Sequence, residues 1–264
     1  MAVSSGETDS LCSARRELTV RTQRTRGCSS MFRSRLGKVR PATGGPRMSY
    51  YLLRTARDFA AANMASVAHS DTTGNTTCDR WTLRHLVNHV IATTEVLGRV
   101  SRGEPISPED IAPDTTAERG YSGADPVAAF HRVSDPLVRM YQQISSSERL
   151  TCTLLQLPRP PAPLFVSLCL LEWSVHGWDI GRSTGRTARI PVPLAETVLP
   201  FATRIGAGMP HQLPSFAEPT DAPPDASADE RLLAFLGRSP RQGDETTTEL
   251  ADDTAVLMSH EEDR

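Results

Sequence analysis

A carboxylate and two imidazoles carry most of the chemistry open to this chain. Glu172 and His176 lie four residues apart in Leu170-Leu171-Glu172-Trp173-Ser174-Val175-His176-Gly177-Trp178-Asp179, and His89 lies in Trp81-Thr82-Leu83-Arg84-His85-Leu86-Val87-Asn88-His89-Val90. A spacing of four puts Glu172 and His176 one turn apart on one helix face. At ~100° per residue, Phe165, Leu168, Cys169, Val175 and Asp179 fall within roughly 60° of Glu172. The carboxylate therefore shares the apolar face, where a charge is costly unless it is paired or bound to metal. Leu86, Val96, Leu97 and Val100 share the face of His89 in the same way. Two helices with core-facing ligand side chains point to one metal between them. On spacing alone a plainer reading also stands: buried histidines satisfied by hydrogen bonds, with Glu172 paired to Arg182 or Arg186.

The elements that must position these residues follow from apolar periodicity. The first helix is predicted at about Tyr50 to His69, with an apolar stripe at Leu53, Ala56, Phe59, Ala60 and Met64. After the loop Asp71 to Cys78, the second is predicted at about Thr82 to Arg102. A long polar connection, Gly103 to Ala124, carries Pro105, Pro108 and Pro113. The third helix starts at Asp125-Pro126, an N-cap followed by proline at the first helical position. The proline-rich stretch Leu157 to Pro163 cannot be helical, and Thr151 to Leu155 alternates like a strand too short to found a sheet. The fourth helix is predicted at about Leu164 to Ser183, stopping near Gly185. A fifth follows at about Leu194 to Gly206, and a last short one near Ala228 to Leu236. The expected fold is all-α: an up-down four-helix bundle with extra short C-terminal helices, an architecture that builds metal sites from facing helices.

The residues around the two histidine blocks resemble a known family. Cys78-Asp79-Arg80-Trp81-Thr82-Leu83-Arg84-His85-Leu86-Val87-Asn88-His89-Val90 resembles the second-helix signature of the DinB-like metal-binding proteins, in the branch typified by mycothiol-dependent maleylpyruvate isomerase. Glu172-Trp173-Ser174-Val175-His176-Gly177-Trp178-Asp179-Ile180-Gly181-Arg182-Ser183-Thr184-Gly185 is similar to that family's Glu-x-x-x-His-Gly-Trp-Asp block. Ala228 to Arg238 resembles the closing helix of a subgroup. The resemblance covers roughly residues 49 to 240 and implies a divalent metal, usually zinc, on His89, Glu172 and His176. Three protein ligands leave one position open, as catalytic zinc sites do. The resemblance further implies mycothiol or a similar thiol as co-substrate, and hence a metal-dependent S-transferase or isomerase acting on small electrophiles. The alternative is a non-catalytic metal-binding or stress-related binding protein of the same fold.

Two features depart from the family. A commonly acidic position is His85 here, one turn before His89 and about 40° round the helix. It is a candidate for approaching the metal, for supporting it from the second shell, or for plain surface. The characterised isomerase also has a C-terminal α+β domain, for which this sequence leaves no room after the bundle. Asp179 is a candidate acceptor orienting a ligand histidine, or a partner of Arg182 or Arg186. Trp81 and Trp178 read as packing residues rather than substrate platforms, and Cys169, on the face of Glu172, as a small buried filler or a neighbour of the site.

Composition bounds the rest. Residues 1–47 hold ten Lys and Arg against three acids and end in Pro41-Ala42-Thr43-Gly44-Gly45-Pro46, so a disordered basic head is expected. Residues 241–264 read as a disordered acidic tail, and 48–240 as the bundle domain. The head allows three readings: a nucleic-acid arm, a targeting peptide, or sequence ahead of a true start at Met48. The last is preferred, since the recognisable domain begins there and only Phe32 offers base stacking. The five cysteines form no Cys-x-x-Cys pair, which argues against a disulfide framework and a thiolate zinc site. With no signal peptide and no apolar run of ~18 residues, a cytoplasmic monomer or homodimer is expected, without membrane or nucleic-acid partners.

Overall fold

The computed structural model describes residues 46–78, 81–121, 125–145, 147–152, 159–206 and 217–241. The predicted head lies outside these residues apart from its last two, and the predicted tail apart from Arg241. Of the strand-like stretch at 151–155, only Thr151 and Cys152 are described.

The helices are α1 (Pro46–Met64), α2 (Leu83–Ser101), α3 (Pro113–Glu118), α4 (Pro126–Gln143), α5 (Ala162–Ser183), α6 (Val192–Gly206) and α7 (Ala228–Phe235). Helix α1 tightens into a 3-10 turn over Ala65–His69, the end of the single helix expected there. The predicted starts hold where the chemistry is strong. The Thr82 hydroxyl caps α2 by accepting from the His85 amide, and the Asp125 carboxylate caps α4 by accepting from Val127. A capping box between Ser227 and Glu230 starts α7. The connection after α2 differs from expectation: it holds a 3-10 turn at Pro108–Ile111 and the short helix α3.

Helix α5 is apolar nearly all round, which places it at the centre of the molecule. It packs on α1, α2 and α6, while α4 packs on α1 and α2, so the four long helices close a ring in the order α1, α5, α2, α4. Across its middle, Phe130 of α4 meets Trp173 of α5 edge-on, with ring centroids 5.7 Å apart, and the Trp173 indole donates to Thr94 of α2. Contacts between Gly177 and Ala60, Gly181 and Asn63, and Thr184 and Ser66 show that α1 and α5 run the same way. Ser101 and Tyr141, both near their helix ends, meet at 2.5 Å, so α2 and α4 also run together. The directions are thus up, down, down, up, and the long connection from Arg102 to Asp125 carries the chain back between α2 and α4.

The approach of α1 to α5 depends on small residues. A Cβ at Gly177 would stand 3.0 Å from the Ala60 Cα, and one at Gly181 would lie 2.8 Å from the Ala188 Cβ and overlap the Asn63 amide. Gly181→Ala is therefore expected to destabilise the chain by about 1–3 kcal/mol through overpacking, measured as a lower urea midpoint at unchanged slope. A midpoint equal to that of the unaltered protein would contradict this packing.

Candidate metal centre

Helices α2 and α5 cross so that His89 meets the Glu172–His176 pair. One oxygen, Glu172 Oε2, stands 3.6 Å from His89 Nε2 and 3.6 Å from His176 Nε2. The two imidazole rings meet edge to face, with centroids 5.2 Å apart. His176 is fully buried, His89 is 4% exposed, and the Glu172 side chain keeps 18% of its surface, so the site opens past the carboxylate. The i, i+4 spacing delivers the α5 pair because neither residue interrupts the helix.

A separation of 3.6 Å is too long for a hydrogen bond. His89 Nε2 and Glu172 Oε2 are buried and make no hydrogen bond among the described residues. Buried polar atoms in that state are rare and costly unless something else meets them. Two donors each ~2.0–2.1 Å from one tetrahedral cation stand roughly 3.3–3.4 Å apart, close to the spacing seen here. Among the described residues, His89, Glu172 and His176 form one of two groups whose donor atoms lie within 4.8 Å of one another and could hold a metal ion. Burial pushes the His89 imidazole below its ordinary value, with the Glu172 carboxylate opposing. Burial raises the Glu172 carboxyl, but the imidazoles of His89 and His176 outweigh it and hold it below the usual glutamate value. A neutral imidazole and an ionised carboxylate are the forms that bind cations.

The second group, Cys78, His176 and Asp179, is of another kind. Arg238 reaches the buried Asp179 carboxylate at 2.8 Å and 3.2 Å, and the Thr77 hydroxyl donates to it at 2.5 Å. The guanidinium thus supplies the positive charge that this carboxylate requires. Burial alone would raise the Asp179 carboxyl, but Arg238 and His176 hold it well below the usual range. It accepts from His176 Nδ1 at 2.9 Å, which turns Nε2 toward Glu172. Burial, with Asp179 beside it, pushes the Cys78 thiol well above its ordinary value, as burial does for Cys169. Neither is an activated thiolate. Trp81 lies over the His89 ring, 4.5 Å between centroids at a tilt of 40°, and 6.4 Å from His176.

The structure thus brings the candidate ligands His89, Glu172 and His176 together and places the Asp179 carboxylate in hydrogen-bond contact with His176 Nδ1. The charged partner of that carboxylate is Arg238, not the nearby Arg182 or Arg186. His85 is outside the cluster: its Nε2 lies 3.6 Å from Glu118 Oε1 of α3 and its side chain is 33% exposed. Thr77, Thr116 and Arg238 had no role in the sequence reading. Arg238 falls inside the quoted closing block, so a signal existed, whereas nothing local marks Thr116.

Residues 53–181 match the family model of the mycothiol maleylpyruvate isomerase N-terminal domain. Over that segment the bundle is similar to this domain family. The matched segment contains both histidine blocks and ends two residues after Asp179, so α6, α7 and Arg238 lie beyond it. Over 193 residues, covering 70% of this chain and 95% of each relative, the sequence is 26% identical to two proteins of Mycobacterium tuberculosis: uncharacterized protein Rv0738 of strain H37Rv and uncharacterized protein MT0763 of strain CDC 1551. No solved structure matches the chain. No helix among the described residues is long and apolar enough to cross a membrane.

Proposed function

We propose that His89, Glu172 and His176 hold one divalent metal, zinc by the nature of the donors, and that the protein is a thiol S-transferase or isomerase acting on small electrophiles. The thiol is mycothiol or one like it, in keeping with the domain family. The observation that carries the reading is the buried Glu172 Oε2 between two imidazole nitrogens, each at 3.6 Å, with His89 Nε2 and this oxygen making no hydrogen bond among the described residues. Two nitrogens and one oxygen suit zinc, and three protein donors leave room for a further ligand.

When bound, the cation supplies the positive charge that favours a thiolate over a thiol at neutral pH. The chain does the rest. Asp179 and Arg238 hold His176 in one orientation, and Trp81 covers the face of His89 and excludes water from it. The partly exposed side of Glu172 marks the route by which a small thiol reaches the site. The thiol proton passes to solvent water, and the sulfur lone pair forms the new C–S bond as the electrophile's π bond breaks. The electron pair of that π bond moves to the neighbouring atom, which then takes a proton from water; for an electrophile with a leaving group, that group departs with the bonding pair instead.

The test is thiol consumption against a panel of small electrophiles, with zinc-loaded full-length protein. We expect accelerated conjugation, a rate that levels off at a pH below the free thiol's pKa of ~8.5, and loss of the acceleration in His176→Ala. Thiol binding without any change in conjugation rate across the panel would favour a non-catalytic binding protein. A rate unchanged by stripping the metal would overturn the mechanism.

A further inference from the structure

We infer that α3, the short helix folded out of the connection after α2, is a positioning element of the metal centre: Thr116 sets the tautomer of His89, and docking of α3 is coupled to occupancy of the site. The inference rests on the reading of His89, Glu172 and His176 as metal ligands.

Thr116 is fully buried, and its Oγ1 lies 2.6 Å from His89 Nδ1. The hydroxyl proton has its own acceptors, the carbonyl of Pro113 at 2.9 Å and that of Ala112 at 3.3 Å. With that proton committed, the oxygen meets the ring with a lone pair, so His89 Nδ1 carries the hydrogen and Nε2 turns a lone pair toward Glu172. In the other tautomer an N–H would occupy Nε2 and point at the Glu172 carboxylate. The site would then close as a histidine–glutamate pair and leave no room for a cation. A single hydroxyl therefore decides between a cation-ready site and a closed one.

The contact is part of a register. Three successive α3 residues meet residues spaced by three and four on α2. Thr116 meets His89, the Ala117 carbonyl accepts from Asn88 Nδ2 at 3.0 Å, and Glu118 faces His85. The rest of the connection is pinned to the same helix by Arg99 on Asp110 at 3.1 Å and by Tyr121 on Glu95 at 2.7 Å. A helix of six residues is not stable by itself, so its docking is its stability. A contact shared by docking and metal binding makes each favour the other, and the coupling is reciprocal.

The test uses the full-length chain. Hydrogen exchange of residues 112–119 in the unaltered protein is expected to slow when zinc is added. In chelator competition, Thr116→Val should bind zinc about 10–100-fold more weakly, as loss of a ligand-orienting partner does. Thr116→Ser keeps the hydroxyl and should restore the affinity, which a purely space-filling role would not predict. Equal zinc affinity in Thr116→Val, or exchange of 112–119 indifferent to zinc, would overturn the inference and leave the metal reading intact. Should Thr116→Val fail to fold, the exchange measurement on the unaltered chain decides. No zinc binding by the unaltered chain would remove the metal reading and this coupling with it.

Discussion

Replacing Arg238 with methionine is expected to lower the stability of the folded chain by about 3–5 kcal/mol. Arg238 is 3% exposed and Asp179 fully buried, and their ion pair at 2.8 Å joins the end of α7 to the middle of the bundle. Removing one partner of such a pair leaves the other charge buried without compensation. Thr77, Cys78 and His176 would still touch the carboxylate, but none brings a fixed positive charge. The backbone directs Arg238 into this place through Gly237, at a φ of 77°, where a Cβ would lie 2.6 Å from the Ala217 Cβ. A loss of that size is a large fraction of the 5–15 kcal/mol that typically holds a domain together. Urea denaturation measures it. Replacing both partners, as Arg238→Met with Asp179→Asn, should recover part of the loss, because the unpaired charge is then gone. A single-variant loss below about 1 kcal/mol would show that the pair is not what it is described to be.

Much of the bundle was legible in the sequence. The stripe Leu53 to Met64, the Asp125-Pro126 start and the shared face of Glu172 and His176 are local patterns, and each survives in the fold. What escaped was long-range or contextual. Asp179 and Arg238 are 59 residues apart, so a search of nearby cations offered Arg182 and Arg186 instead. Thr116 sits in a stretch without apolar periodicity, and its helix exists because Ala117 and Thr116 are buried against α2. His85 was placed on the right helix, one turn from His89, but the residue that meets it, Glu118, comes from that same unforeseen helix.

Zinc is expected to stabilise the protein strongly, and His176→Ala to abolish the effect. A ligand that binds only the folded state adds about 4 kcal/mol at a thousand times its Kd, so the melting temperature should rise with zinc and fall back with chelator. His176→Ala removes one of three donors and also leaves Asp179 without its imidazole partner. Its own melting temperature should therefore fall, and zinc should no longer raise it. Cys78→Ser separates the two donor groups, because Cys78 belongs only to the group that Arg238 already neutralises. That variant should respond to zinc as the unaltered chain does. A zinc response lost in Cys78→Ser and kept in Glu172→Ala would reverse the assignment of the site, since Glu172 belongs only to the group with His89.

The most direct test of the metal centre is the metal-to-chain ratio of purified protein, read by elemental analysis alongside Glu172→Ala and His176→Ala. The account predicts one divalent metal per unaltered chain and a sharp fall in both variants. Stoichiometric metal retained in the double variant, or none taken up by the unaltered chain from zinc-containing buffer, would contradict it.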